Sequence, residues 1–284
     1  MTVFSTIDEI RAFVSSEKAD GKSIAFVPTM GALHEGHFSL VRQAYEHADQ
    51  VIVSIFVNPT QFAPHEDLEK YPRTPENDLE ACENLGVAAV FMPSAEDMYP
   101  PKTFISFSIS TITDYLCGAS REGHFEGVLQ IVCKLFNIVQ PDVAVFGQKD
   151  IQQLTVIKRM VKELNFPISI IGAETVREPD GLAKSSRNKY LNEEERAIAP
   201  ELYKALKKII HRYSNEEMEI NQLLSDEKNR LSNIGFNIDY LSVNQADNLQ
   251  PVSDLSSHTE YVVAGAVFLG STRLIDNIIF NTTN

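Results

Sequence analysis

The sequence predicts an α/β chain with a doubly wound parallel sheet and a smaller C-terminal α+β domain, and three observations lead there. Apolar, β-branched runs alternate with segments of helical spacing over the first two thirds of the 284 residues. Those runs are apolar throughout rather than at every second residue, as strands covered on both faces must be. Near Val176 the alternation stops and two charged helical stretches precede three strand-like ones. The first pattern is Rossmann-like and occupies residues 1–176; the second occupies 177–284, as a lid domain. In sheets of the first kind ligands collect at the carboxyl ends of the strands.

The elements follow in order. Ile24-Ala25-Phe26-Val27 is the core of a strand within Lys22–Thr29, stopped by Pro28. Leu40, Val41, Ala44 and Ala48 share one face of a helix over Phe38–Ala48. Gln50–Val57 is a second strand, Pro75–Leu85 a helix ended by Gly86, and Val87–Met92 a third strand. Gly127–Val139 and Asp150–Leu164 are helices, each followed by a strand, Val143–Phe146 and Ile168–Ile171. Asn192, with Glu195 three residues on, is the N-cap of a helix reaching Tyr213. A charged helix over Asn215–Ile234 and strands at Ile238–Val243, Tyr261–Leu269 and Arg273–Phe280 complete the chain.

Composition narrows the function. A 43% hydrophobic content is enough for a substantial core, and a net charge of -14 repels phosphate backbones and acidic membranes. No nucleic-acid or membrane partner is expected, and a nucleotide site would have to gather its own cations. The three cysteines have no metal-ligand spacing and read as thiols in a reducing compartment. No basic start or long apolar run opens the chain, so a cytoplasmic protein is expected.

Pro28-Thr29-Met30-Gly31-Ala32-Leu33-His34-Glu35-Gly36-His37 lies where the first strong strand gives way to a helix. Free amides and the helix dipole there favour an anion. Gly31 and Gly36 would let backbone approach a phosphate, and imidazoles beside it can donate hydrogen bonds to growing negative charge. A capped polar loop is the plainer reading. Gly147-Gln148-Lys149-Asp150 opens a helix at the end of another strand, where Lys149 offers a cation. Lys184-Ser185-Ser186-Arg187 sets two hydroxyls between two cations, a cradle for a departing pyrophosphate, behind the turn Pro179-Asp180-Gly181 that could hinge. Gln61, after the turn Asn58-Pro59-Thr60, has both donors and an acceptor for a ligand bearing hydroxyl and carboxylate groups.

His34-Glu35-Gly36-His37 resembles the HxGH mark of the nucleotidylyltransferase superfamily. The ordered series P-T-M-G-A-L-H-x-G-H, Phe56–Phe62, Tyr71–Thr74, Gly123–Val128, Lys134–Asn137, Phe146–Asp150, Val176–Asn188 and Leu274–Asn277 resembles the pantothenate synthetase family. The resemblance implies an ATP-dependent ligase that adenylates pantoate and passes the acyl group to β-alanine. It implies ATP contacts at Met30–His37, Gly147–Asp150, Val176 (through its backbone) and Lys184–Arg187. It further implies pantoate on Gln61 and Gln153, β-alanine beside Gln61, His37, His34 and Lys149 as the catalytic groups, and a homodimer. Mg²⁺ would come with ATP, with Asp78 as its protein ligand; a solvated helix carboxylate is the alternative for Asp78. Leu129-Gln130 departs from the family's usual Thr-Val-Val run.

Three points stay open in the sequence. A nucleotidylyltransferase acting on a phosphorylated acceptor would share HxGH, although Gln61 and Gln153 suit a neutral one. A non-catalytic nucleotide-binding regulator is a second alternative. His124 is either structural or part of the site, while His47, His65, His211 and His258 read as surface or packing residues.

Overall fold

The computed structural model describes residues 1–63, 66, 68–216, 219–256 and 258–282, with backbone alone at 214–216. It divides into two compact units, 1–109 with 121–148 and 156–174, and 110–120 with 149–155 and 175–284. The main boundary lies at 174/175. Segments 110–120 and 149–155 group with the second unit, a grouping no shift in composition announces.

In the first unit, β1 (Thr2–Phe4), β2 (Ile24–Thr29), β3 (Gln50–Ile55), β4 (Ala89–Phe91), β5 (Val143–Gly147) and β6 (Ser169–Ala173) form one all-parallel sheet. Its order is β1-β4-β3-β2-β5-β6. The chain builds outward from β2 through β3 to β4, then restarts at β5 on the other side. The β2/β5 junction is therefore the point where strand order reverses, the usual ligand position of this architecture. Val27, Val51, Val53, Val90 and Val145 sit in one fully buried cluster with Val41 and Ala44, which is why their runs carry no polar alternation.

Helices α1 (Ile7–Ala19), α2 (Glu35–Ala44), α3 (Pro75–Asn84), α4 (Ala95–Met98), α5 (Leu116–Ser120), α6 (His124–Val139) and α7 (Ile151–Glu163) lie between or after these strands. β1 and α1 were not anticipated, yet Thr6 and Glu9 form a reciprocal capping box at the start of α1, and Ile10 and Val14 are buried. β2 does not stop at Pro28. Pro28 pairs with Ser54 and Thr29 with Ile55, whereas pairing to β5 ends at Phe26. The missing proline N–H therefore falls where the ladder to β5 has already ended.

The second unit carries α5, the first turn of α7, α8 (Glu193–Ile198), α9 (Glu201–Glu216) and α10 (Ile220–Asn233). The antiparallel sheet β7-β8-β9 (Asn237–Gln245, Glu260–Leu269, Thr272–Asn281) completes it. The single helix expected from Asn192 to Tyr213 is two helices. Asn192 and Glu195 do form the predicted capping box. Pro200 then ends α8, since it has no N–H for the carbonyl of Arg196 and its ring crowds the preceding turn. The next helix starts at Ile220 rather than Asn215. Leu202, Leu231, Phe236 and Val267 form one core of this unit, and Leu206, Leu223, Tyr261 and Val263 another.

Candidate active site

The loop from β2 to α2 is built from two consecutive left-handed residues, Gly31 at φ +82° and Ala32 at +51°. A left-handed conformation costs an alanine about 1–2 kcal/mol. Asp78 on α3 holds it: Oδ2 accepts from the Ala32 N–H at 2.9 Å and Oδ1 from the Leu33 N–H at 2.7 Å. Thr74 Oγ1 donates to Oδ1 at 3.2 Å, and Asp78 is buried. Gly31 is needed twice over, because a Cβ there would lie 3.0 Å from Asp78 Oδ2. Asp78 is therefore not the solvated helix carboxylate of the sequence reading, and both of its oxygens are committed to holding this loop.

His34 is the N-cap of α2. Its Nδ1 accepts from the Gly36 N–H at 3.1 Å, while His37 Nδ1 accepts from the His34 N–H at 3.3 Å. The two rings lie 4.3 Å apart, tilted by 47°. This is a capping box made of two imidazoles. With Nδ1 accepting on each ring, the proton of each neutral imidazole resides on Nε2. An imidazolium would need Nδ1–H as well and would lose its cap bond. The glycine of His-x-Gly-His makes room for the ring: a Cβ at Gly36 would stand 2.8 Å from His34 Cε1.

The expectation of free amides here does not hold. Gly31, Ala32, Leu33, His34 and Gly36 donate to Thr29 Oγ1, Asp78 and the two histidines. Side chains of the loop have taken the donors that a helix start otherwise leaves open. Glu35 forms an ion pair with Arg42.

The same unit holds Gln61 at the end of a single 3₁₀ turn, Pro59–Gln61. Its Oε1 accepts from Asn58 Nδ2 at 3.0 Å, and its Nε2 points at Met30 Sδ, 3.2 Å away. Gln61 is buried, and an amide in these two bonds has one further N–H and one further lone pair. Asn58 is itself fixed, with Tyr99 Oη donating to its Oδ1 at 2.6 Å and its Nδ2 donating also to the Gly127 carbonyl at 3.1 Å.

The second unit holds the cations. Gly147 and Gln148 end the first unit's share, and Lys149, Asp150 and the half-buried Gln153 belong to the second. Lys149 Nζ donates to the Lys184 carbonyl at 3.0 Å. Burial pushes the Lys149 ammonium below the ordinary lysine range, against the pull of Asp150 and Asp276. Val176–Lys184 is a tight hairpin: the Lys184 N–H donates to the Val176 carbonyl at 2.9 Å, and the Glu178 N–H to the Leu182 carbonyl at 2.8 Å. Lys184 pairs with Glu178 at 3.2 Å, and Ser185 Oγ caps the turn Ser186–Tyr190 by accepting from the Arg187 N–H.

The turn expected to hinge carries two close packing contacts. A Cβ at Gly181 would meet the Tyr203 ring at 2.9 Å, and Asp180 pairs with Arg196 at 2.5 Å. Arg177 stacks over Tyr203 at 3.6 Å and makes a bidentate pair with Asp276, at 2.6 and 2.9 Å. The next residue, Asn277, donates to the Lys149 carbonyl at 2.9 Å. Asp276 and Asn277 are thus the anchors of the cationic segment, a role the sequence reading did not see.

Among the other histidines, His47, His211 and His258 are exposed, and His65 lies outside the described residues. His124 is buried and bonded to the Gln61 backbone. In the departing run, Leu129 is buried and Gln130 half-buried on α6.

Known proteins resemble this chain over nearly all of its length. A family model described as Pantoate-beta-alanine ligase matches residues 2–279. The pantothenate synthetase of Pseudomonas savastanoi pv. phaseolicola is 49% identical over 282 residues, covering 98% of each chain. The crystal structure of the Thermus thermophilus pantothenate synthetase superposes with a TM-score of 0.89 at 41% identity, over 98% of this chain and 99% of that one. That of the Francisella tularensis pantoate-beta-alanine ligase, complexed with beta-gamma ATP and beta-alanine, gives 0.83 at 35% identity, over 98% and 97%. With its sheet, its histidine pair and its cationic hairpin all within the matched residues, this chain belongs to the pantoate-beta-alanine ligase family.

Proposed function

We infer that the chain is an ATP-dependent ligase that joins pantoate to β-alanine through a pantoyl-adenylate, releasing pyrophosphate and then AMP. Family membership over residues 2–279 supports the reaction, and the relative solved with a nucleotide and beta-alanine supports ATP as substrate. The observation that carries the residue assignment is the double imidazole cap. With Nδ1 of both His34 and His37 accepting from backbone N–H groups, each neutral ring carries its proton on Nε2.

In the first step a pantoate carboxylate oxygen attacks the α-phosphorus and the bond to pyrophosphate breaks. Charge grows on the phosphoryl oxygens, and His37 and His34 donate to it through Nε2. Lys149, Lys184 and Arg187 neutralise the polyphosphate, with Ser185 and Ser186 as hydroxyl donors. A phosphate beside Lys149 would favour the ammonium that burial disfavours. Met30–His37, Gly147–Asp150 and the Val176 backbone complete the ATP contacts. In the second step the β-alanine amine attacks the acyl carbon and AMP leaves. Gln61 and Gln153 hold pantoate, and Gln61 borders the amine.

Mg²⁺ enters as part of the ATP substrate. Both Asp78 oxygens already accept loop amides, so in this reading the phosphates hold the ion. The proposed partner is a second copy of the chain: Phe104 and Ile105 are 84% and 77% exposed, and mass in solution reads this directly. A cytoplasmic location fits the reduced cysteines; no helix among the described residues is long and apolar enough to cross a membrane.

Pyrophosphate exchange into ATP tests the reading. Exchange is expected with pantoate and without β-alanine. An exchange that needs β-alanine, or that ignores pantoate, refutes the free adenylate.

A further inference from the structure

His124 has no place in the steps above, yet it is a buried histidine with both ring nitrogens engaged. Its Nδ1 lies 2.8 Å from the backbone carbonyl oxygen of Gln61, and its Nε2 3.0 Å from Nη1 of Arg121. Arginine nitrogens only donate, so Nε2 is the acceptor and the proton sits on Nδ1, from which it is donated to Gln61. Arg121 is held in turn by Glu66, with Nε to Oε1 at 2.7 Å and Nη2 to Oε2 at 2.8 Å. This fork occupies Nε and Nη2 and leaves Nη1 for the histidine. Burial raises the Glu66 carboxyl, and Arg121, the Ala63 amide and His124 together bring it below the ordinary carboxylate value.

The segment that receives this bond is short and tightly seated. Residues 58–61 lie against the start of α6, where Gly127 permits contact no other residue allows: a Cβ there would stand 2.4 Å from the Thr60 carbonyl oxygen and 2.7 Å from Gln61 Cα. Asn58 ties the Gln61 side chain and the Gly127 carbonyl together. The carbonyl of Gln61 lies beyond that tie, and His124 supplies its donor.

We propose that His124 is a positioning residue for pantoate binding: it fixes the backbone of Gln61 through Nδ1–H, and the Glu66–Arg121 pair sets the tautomer that lets it do so. The proposal rests on the reading of Gln61 as a pantoate contact. Without the donor, the buried carbonyl must rotate to find another, and the Gln61 amide turns with it. A side chain that must be held within a fraction of an ångström depends on such supporting bonds.

Steady-state kinetics of the full chain decides it. His124→Ala is expected to raise the KM for pantoate about tenfold, the usual weight of one such bond, with the KM for ATP nearly unchanged. His124→Asn keeps a donor near the Nδ1 position and should recover most of the loss. His124→Gln, whose amide reaches the Nε2 end instead, should not. Glu66→Gln leaves His124 in place and is the milder probe should His124→Ala fold poorly; it should shift pantoate KM in the same direction, by less. A double-mutant cycle with Gln61→Ala separates the two readings. If His124 acts through Gln61, adding His124→Ala to Gln61→Ala costs little more. Effects that multiply, equal rises in both KM values, or no recovery by Asn overturn the proposal while Gln61 keeps its role. A normal pantoate KM in Gln61→Ala alone removes the role of Gln61 and the proposal with it.

Discussion

The histidine pair of the first unit is oriented by neighbours in sequence, and the lysines of the second by distant ones. His34 and His37 are oriented by bonds spanning two and three residues. Lys149 and Lys184 meet across 35 residues, Asn277 reaches Lys149 across 128, and Arg177 meets Asp276 across 99. A group oriented by its own helix cap is positioned wherever that helix forms. A group oriented by a remote ion pair is positioned only when the whole unit is folded. In the first unit, geometry and stability should therefore separate under mutation, and in the second they should fall together.

The largest effect is expected at Asp276. Burial raises its carboxyl and Arg177 pulls it back, so the pair is stable only as a pair. Asp276→Ala would leave the Arg177 guanidinium mostly buried without its partner, a change that typically costs about 3–5 kcal/mol. Stacking on Tyr203 and partial exposure of Arg177 place the expected value near the lower end. Chemical denaturation should show it, together with weaker ATP binding as Lys149 and Lys184 lose their register. Normal stability with weakened ATP binding would break the contrast between the units.

His37→Ala is next, and should show the opposite split. Stability should drop by only about 1 kcal/mol, the worth of one cap acceptor. Adenylation should fall about 10²–10³-fold, as for other single donors to developing charge. The amine step, started from pre-formed pantoyl-adenylate, should suffer less, because the phosphorus chemistry is then complete. Single-turnover rates of the two half-reactions are the readout; equal losses would mean that His37 positions the adenylate rather than helping to form it.

The same contrast governs what the sequence could reveal. The parallel sheet was legible because Val51–Ile55 and Ile24–Val27 are apolar at every residue but Ser54, and HxGH was legible because its bonds are local. The capping signal Thr6-x-x-Glu9 before α1 and Pro200 before α9 are equally local. Gly36 and Gly31 make room for an imidazole and a carboxylate, a role that their spacing alone does not announce. The roles of Asp276, Asn277 and His124 had no local signal. Each depends on a contact more than 60 residues away, which no spacing rule encodes.

Asp78 sharpens the comparison, because it is a long-range brace of the first unit, 45 and 46 residues from the amides it binds. Asp78→Asn retains one oxygen acceptor and turns an NH₂ group toward the second amide. One loop N–H then loses its partner, and a buried unpaired donor costs about 1–3 kcal/mol. Ala32, at φ +51°, has the most to gain by relaxing toward negative φ. Any such relaxation shifts the entry to α2 and, with it, the His34 cap. We therefore expect about a tenfold loss in adenylation, smaller than for His37→Ala because both imidazoles remain. The loss should be insensitive to Mg²⁺, since the fault lies in the loop. A titration of free Mg²⁺ at fixed ATP distinguishes this from the alternative. If excess Mg²⁺ restored the rate of Asp78→Asn, the carboxylate would be acting on the ion, and the brace would be incidental to catalysis. If the rate stayed low at every Mg²⁺ concentration while Asp78→Glu also failed, the two short bonds to Ala32 and Leu33 would be what the reaction needs. A glutamate has the charge to bind the ion, but its longer stem cannot reproduce the spacing of those bonds.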